Sequence, residues 1–261
     1  MKSRLQMRNR ATVGVAAAIL AAAVWSVPAF ADTTLSYTDA TSHKPATRVL
    51  IHAGHIRIDG AAEGGSIVLY ESEGHRFLLL DTAKHEYRII DRQTVNKLRA
   101  DIESVRHTVQ ALPPSIRDMI RSGAPSVSSM IAHPLPHATV ATTGATTTAG
   151  KYRCRTVTIS VDNGIGYGLC ATPAKEIPIA SADAATLATM AADLRRLGGE
   201  NLTLKTKAEA LLLKDRAVPV KLVDFKHGRT EVLKSISRGK LSDDLFVVPQ
   251  DYEPRGLIGI W

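Results

Sequence analysis

The residues of this 261-residue chain with the most telling chemistry are two cysteines and nine histidines. Cys154 and Cys170 flank an Asp-Asn-Gly turn in "YRCRTVTISVDNGIGYGLCATP". Their spacing is not the C-x-x-C of thiol-exchange proteins. Two thiols on neighbouring strands pair in an oxidising compartment, so a structural disulfide is the expectation. The strand register constrains it. A two-residue Asn163-Gly164 turn would set Val157 opposite Cys170 and leave Cys154 three residues out of step. At strand rise that offset is roughly 10 Å, whereas a disulfide needs Cα atoms within about 7 Å. The bond therefore requires a wider loop centred on Asp162, or a bulge at Gly166 or Gly168.

The histidines do not assemble into a metal site on sequence grounds. His52 and His55 lie three apart across a turn at Ala53-Gly54. His133 and His137 have a helical ligand spacing, but Pro134 and Pro136 exclude the helix. His75 and His85 are placed to face each other across a hairpin, and no further Cys, Asp or Glu completes a ligand set. The sequence carries no Gly-x-Ser-x-Gly elbow, phosphate loop or His-Glu-x-x-His helix. No metal, cofactor or catalytic residue is expected, and the protein reads as non-enzymatic.

An oxidising compartment is indicated by the first residues. Lys2, Arg4, Arg8 and Arg10 precede an apolar run from Ala11 to Val27, and Ala29-Phe30-Ala31 supplies a cleavage site, the layout of a secretory signal peptide. The apolar run is Ala-rich and short of the roughly 20 residues a spanning helix needs. Residues 1–31 are expected to be removed, leaving 32–261 as a single periplasmic domain without a transmembrane span. Loss of four positive charges and no negative one takes the formal charge from +8 to +4. Residues 205–240 keep ten Lys or Arg against four acidic residues. Such a surface suits an anionic membrane or an acidic partner. Nucleic acid is not expected, because aromatics make up only 5% of the chain.

These residues must be positioned by strands and two helical insertions. "RVLIHAGHIRID", "SIVLYES", "RFLLLDT" and "EYRIID" alternate in hydrophobicity and are separated by turn residues, an antiparallel meander. From Asp91, a plausible N-cap, the period changes to three and four. Val95, Leu98, Ile102, Val105, Val109 and Leu112 then form one stripe, and Pro113-Pro114 leads into a short second helix ending at Gly123. Residues 124–150 are rich in Ser, Thr, Pro and Gly, with one edge strand at "HATVATT". "RTVTISV" and "IGYGLCA" form the cysteine hairpin. A further helix at 181–197 carries Leu187, Met190, Leu194 and Leu197 and stops at Gly198-Gly199. The strands "NLTLKTKA", "ALLLKD", "VPVKLVDF", "TEVLKSISR" and "DLFVVP" complete an α+β pattern with helical insertions near 92–122 and 181–197.

The blocks "HIRIDG", "SIVLYES", "HEYRIID", "LPPSIRDMI", "YRCRTVTI" and "DDLFVVPQDYEP", taken in order over residues 33–255, resemble an uncharacterised family of secreted bacterial proteins. The resemblance implies the LolA/LolB fold of periplasmic lipoprotein carriers, an incompletely closed antiparallel half-barrel with helices packed on its concave face. Arg48 and Arg57 both lie in early strands, where those carriers keep an arginine, and neither is assigned that role. The expected function is binding of an apolar ligand, a lipid or a lipidated protein, in the concave face. Val95, Leu98, Ile102, Val105, Val109 and Leu112 are then the lid or cavity candidates. The alternative is an envelope interaction module whose barrel is permanently filled.

Overall fold

The computed structural model describes residues 32–60, 66–123, 138–161, 164–198, 216–225 and 227–256. Residues 31–261 gather into one compact unit. The meander begins one strand earlier than the hydrophobic pattern suggests. Strand β1 (Thr33–Asp39), rich in Thr and Ser, precedes β2 (Pro45–His52), β3 (His55–Asp59), β4 (Ile67–Glu71), β5 (Arg76–Asp81) and β6 (Glu86–Ile90). β2 and β3 are joined by the two residues expected, Ala53 and Gly54. Both have positive φ (44° and 83°), a turn geometry whose twist suits a hairpin.

Asp91 caps α1 (Arg92–Ala111). Its carboxylate accepts from Thr94 N at 2.7 Å, and the Thr94 hydroxyl accepts from Asp91 N at 2.9 Å. Pro113-Pro114 ends that helix and opens α2 (Pro114–Gly123). The edge strand expected at "HATVATT" is longer than expected, β7 (Ala138–Ala149), and pairs with β8 (Tyr152–Val161). β9 (Gly164–Pro173), α3 (Ser181–Gly198), β10 (Ala217–Asp224), β11 (Arg229–Arg238) and a three-residue β12 (Glu253–Arg255) follow. "NLTLKTKA" and "ALLLKD" lie outside the described residues, as do His133 and His137.

Among the described residues twelve strands form one open sheet in the order β12-β6-β5-β4-β3-β2-β1-β11-β10-β9-β8-β7, antiparallel except where β12 joins β6. Strand alternation gives this sheet two different faces. Along one row, Ile51, Ile56, Tyr70, Phe77 and Ile90 stand side by side; along the next, Leu50, Arg57, Leu69, Leu78 and Ile89 point the other way. The first row belongs to a cluster that also takes in Leu35, Cys154, Cys170, Val218 and Leu233 of β1 and β8–β11, together with Leu187, Met190 and Ala191 of α3. Twelve flat strands would span about 55 Å, several times the 10–12 Å or so of one helix. A single cluster reaching from β5 to β8 around α3 therefore requires a sheet that curls, and its inner face is the one that carries α3.

The second row forms a smaller outer cluster, Leu69, Leu78 and Leu80 with Ile67, Tyr87 and Ile89, covered by Val248 and Tyr252. "DLFVVP", expected as a strand, is instead a 3-10 turn at Asp243–Phe246 followed by extended chain across this outer face. Ser242, Asp243 and Asp244 favour a turn, and Pro249 cannot donate to a ladder, so only Phe246 and Val248 act as apolar anchors.

Candidate functional site

The inner face is where sequence reasoning places a ligand, and the helix seated in it is α3. Its stripe carries Ala184, Leu187, Met190, Ala191 and Leu197, all buried, with Ala191 wholly inaccessible and Leu194 partly buried against the same cluster.

Buried carboxylates pin α3 to the sheet near both ends. Asp183, in its first turn, accepts a hydrogen bond from the Thr33 hydroxyl of β1, where Thr33 has no exposed surface. Burial pushes the Asp183 carboxyl above its ordinary value and neighbouring Asp32 adds to that, while the Thr33 hydroxyl, Arg238 and His52 oppose it. An acidic residue at this end also complements the helix dipole. Toward the other end, Asp193 is 2% exposed and accepts the Tyr70 hydroxyl at 2.6 Å. His75 Nδ1 lies 2.7 Å from the same Oδ2, and Arg196 Nη1 donates to Oδ1 at 3.2 Å. Burial, then the Asp193 charge, holds the Tyr70 hydroxyl far above the usual phenol range. The knot thus ties the β4–β5 hairpin to α3. It opens on a cleft of about 370 Å³ lined by His75, Asp91, Arg92, Gln93, Asp193 and Arg196, with Gly74 and Leu197.

Helix α1 stands differently. Of its stripe, Val95 packs against the inner cluster; Leu98, Val109 and Leu112 are partly buried, and Val105 is 46% exposed. The Ile102 side chain lies outside the described residues. Contacts of α1 fall on β6 and α3, at the rim of the inner face rather than within it.

The cysteines are joined. Cys154 and Cys170 form a disulfide with Cα atoms 5.3 Å apart. Val161 pairs with Gly164, whereas a simple Asn-Gly turn would pair Asp162 with Ile165. A register shift beyond Ser160–Ile165 then passes over Gly166, giving Ile159 opposite Tyr167 and Thr156 opposite Cys170. The three-residue offset becomes two, on one face. The bulge at Gly166 is one of the alternatives the register demanded.

His75 and His85 do not face each other. They occupy turns at opposite ends of β5, both with positive φ (48° and 53°), and His85 Nδ1 sits 2.6 Å from Asp251 Oδ2. Among the described residues no three His, Cys, Asp or Glu groups gather as a metal site, and no helix is long and apolar enough to cross a membrane.

The family model described as "Domain of unknown function (DUF4412)" matches residues 121–252. The chain belongs to the DUF4412 family. In this DUF4412 chain the match takes in the disulfide hairpin, α3 and the segment crossing the outer face. No curated protein matches the sequence. Among solved structures, a chain titled "Structure of PNGF-II in C2 space group" is similar at a TM-score of 0.42 and 9% identity. That similarity covers 87% of this chain and 31% of the PNGF-II chain.

What sequence reasoning missed is the long-range polar pairing. Asp193 lies 123 residues from Tyr70, and Asp183 150 residues from Thr33. The available signal was an acidic residue within an apolar helical stripe: Asp193 falls between Met190, Leu194 and Leu197.

Proposed function

We propose that this protein is a non-enzymatic binding module of the bacterial envelope, a LolA/LolB-like half-barrel whose inner face is permanently occupied by its own helix. The observation that carries this reading is α3, whose apolar stripe is buried in the inner cluster and whose Asp183 and Asp193 are bonded to β1 and β4. A helix so held is a poor gate, because lifting it would break both hydrogen bonds and expose its apolar stripe to water. Binding then falls to the outside of the molecule. Among the described residues β7 is the last strand of the sheet; its twelve residues carry neither charge nor proline, two deterrents to strand addition, although its pairing with β8 breaks between Thr142 and Thr146. A partner segment adding to that edge would gain main-chain hydrogen bonds. Four strands away from β7, Lys234 and Arg238 of β11 and Lys240 beyond it are exposed, a basic contribution suited to an acidic partner or anionic membrane surface.

The test is site-specific photo-crosslinking from Thr146 of β7, compared with the same probe at Glu73 in the β4–β5 turn, in cells that produce the protein naturally. A discrete adduct from Thr146 alone supports the reading. Equal labelling from both positions, or from neither, defeats it.

A second reading keeps the apolar ligand, a lipid or lipidated protein, with α1 as a lid. It is supported by the rim position of α1, where Val95 alone of the described stripe packs into the core and Val105 is left exposed. Lipid released by solvent from the purified protein would favour it over the filled barrel.

A further inference from the structure

The segment after β11 crosses the outer face as a strap, and its attachments have a recurring form. Near its start, Asp32 Oδ2 accepts from Leu241 N at 2.6 Å, and Asp32 O accepts from Gly239 N at 3.1 Å. His52, at the end of β2, lies between two carboxylates: Nε2 is 2.7 Å from Asp243 Oδ1 on the strap, and Nδ1 is 2.8 Å from Asp32 Oδ1. The Nδ1 approach is close but off the line of a hydrogen bond. Three residues beyond Asp243, Phe246 stacks on the same imidazole with ring centres 5.5 Å apart, and touches His55 at 6.3 Å.

The arrangement is repeated further along. His85 Nδ1 meets Asp251 at 2.6 Å, and Tyr252 stacks on His85 at 5.2 Å. Between the two latches Leu245 O accepts from Arg57 Nη1 at 2.9 Å, and Val248 and Tyr252 lie on Leu69, Leu78 and Leu80. Beyond the second latch, Glu253 N donates to His85 O at 2.9 Å and β12 runs along the edge of β6. The strap therefore hides both an apolar patch and one end of the sheet.

We propose that residues 241–255 are a pH-sensitive strap, latched through protonated His52 to Asp243 and Asp32 and loosened when that imidazole loses its proton, which bares Leu69, Leu78, Leu80 and the β6 edge. The groups facing His52 are Asp32 ahead of β1, Asp243 on the strap, His55 across the hairpin, and Asp183 of α3 with Arg238 of β11 beyond it. The Asp32 contact raises the His52 pKa above its ordinary 6.5 despite partial desolvation, and Asp243 adds to the rise. A raised histidine contributes its full stabilisation below pH 6.5 and loses it as pH climbs through the higher folded value. The latch is thus closed in mild acid and opens toward alkaline pH. His55 sharpens the balance: its Nδ1 is buried beside Phe246 with no hydrogen-bond partner among the described residues, a geometry that costs the closed strap part of its stability.

The experiment is hydrogen–deuterium exchange with mass spectrometry on the mature chain between pH 6 and 9, corrected for intrinsic exchange. Peptides over 241–255 are compared with peptides over β9 in the same protein. The expected result is strap exchange that rises about twofold to fivefold relative to β9 as pH increases, the scale of a lost ion pair. Asp243→Asn, at a position whose side chain is 89% exposed, tests the latch without disturbing the core. It should flatten the pH dependence and give a loosened strap at pH 6, and His52→Gln should do the same. Strap protection that is independent of pH in the native chain, or an unchanged pH profile in Asp243→Asn, would overturn the proposal.

Discussion

Replacing Leu187 by Ala separates a fixed helix from a movable lid. Leu187 is 5% exposed in the middle of the α3 stripe. Truncation removes the better part of a buried side chain, worth about 2.4 kcal/mol at ~0.8 kcal/mol per methylene. The residual cavity raises the total to about 3–4 kcal/mol, because a helix tied at Asp183 and Asp193 cannot settle into the gap. For a domain of this size that corresponds to a melting temperature lower by about 6–16 °C. The matched control is Val105→Ala on α1, where 46% exposure predicts a change of about 0.5 kcal/mol or less. Urea titration followed by circular dichroism, with calorimetry for the midpoint, reads both variants. If Leu187→Ala falls within about 1 kcal/mol of the native protein, α3 is not part of the folded core and the filled barrel is wrong. A large loss at Val105 would instead make α1 the structural helix.

Other consequences are open to measurement. Replacing Cys154 and Cys170 together by Ser should lower stability by about 3 kcal/mol, the chain-entropy scale for a closed loop of this length, read as a reduced urea midpoint. Dithiothreitol should reproduce that loss in the native protein and leave the double variant unchanged. In alkaline titration Tyr70 should remain un-ionised until the protein unfolds, so Tyr70→Phe leaves the native phenolate absorbance curve unaltered. The same variant strips Asp193 of a donor and should cost about 1–3 kcal/mol. Asp183→Asn keeps an oxygen for the Thr33 hydroxyl and removes a charge that burial disfavours. Because the folded carboxyl titrates above 3.8, the native chain gains stability relative to the variant as pH falls from neutrality through that raised value. A gap that widens in the other direction would show that Asp183 is stabilised as a carboxylate.

Local order was readable where a single segment carries its own signal. The β2–β6 meander follows period-2 alternation, and α1 follows from Asp91 and the shift to a three-four period, since both depend on neighbours within one turn or hairpin. The disulfide was expected from two cysteines on neighbouring strands, and the register demanded either a wider loop centred on Asp162 or a bulge at Gly166 or Gly168; only tertiary pairing places the irregularity at Gly166. β1 was missed because only Leu35 and Tyr37 carry its apolar alternation, while Thr33, on the same face, is wholly buried by its place between β2 and β11. The strap misled for the opposite reason. Phe246, Val247 and Val248 look like a strand, but Val247 is 56% exposed and the run only anchors extended chain. Of two amphipathic helices the longer one attracted the functional reading. Which helix enters the inner face depends on Tyr70 and Thr33 meeting Asp193 and Asp183, contacts separated by more than a hundred residues that local periodicity cannot reveal.

The central claim is that the inner face is filled by the protein's own helix. Native mass spectrometry of the chain purified without detergent from the cells that make it tests this most directly, with solvent extraction of the same sample. The account predicts the mass of the mature polypeptide alone and no stoichiometric lipid in the extract. A reproducible lipid adduct, released by solvent in a ratio near one per chain, would contradict it and restore the inner face as a ligand site.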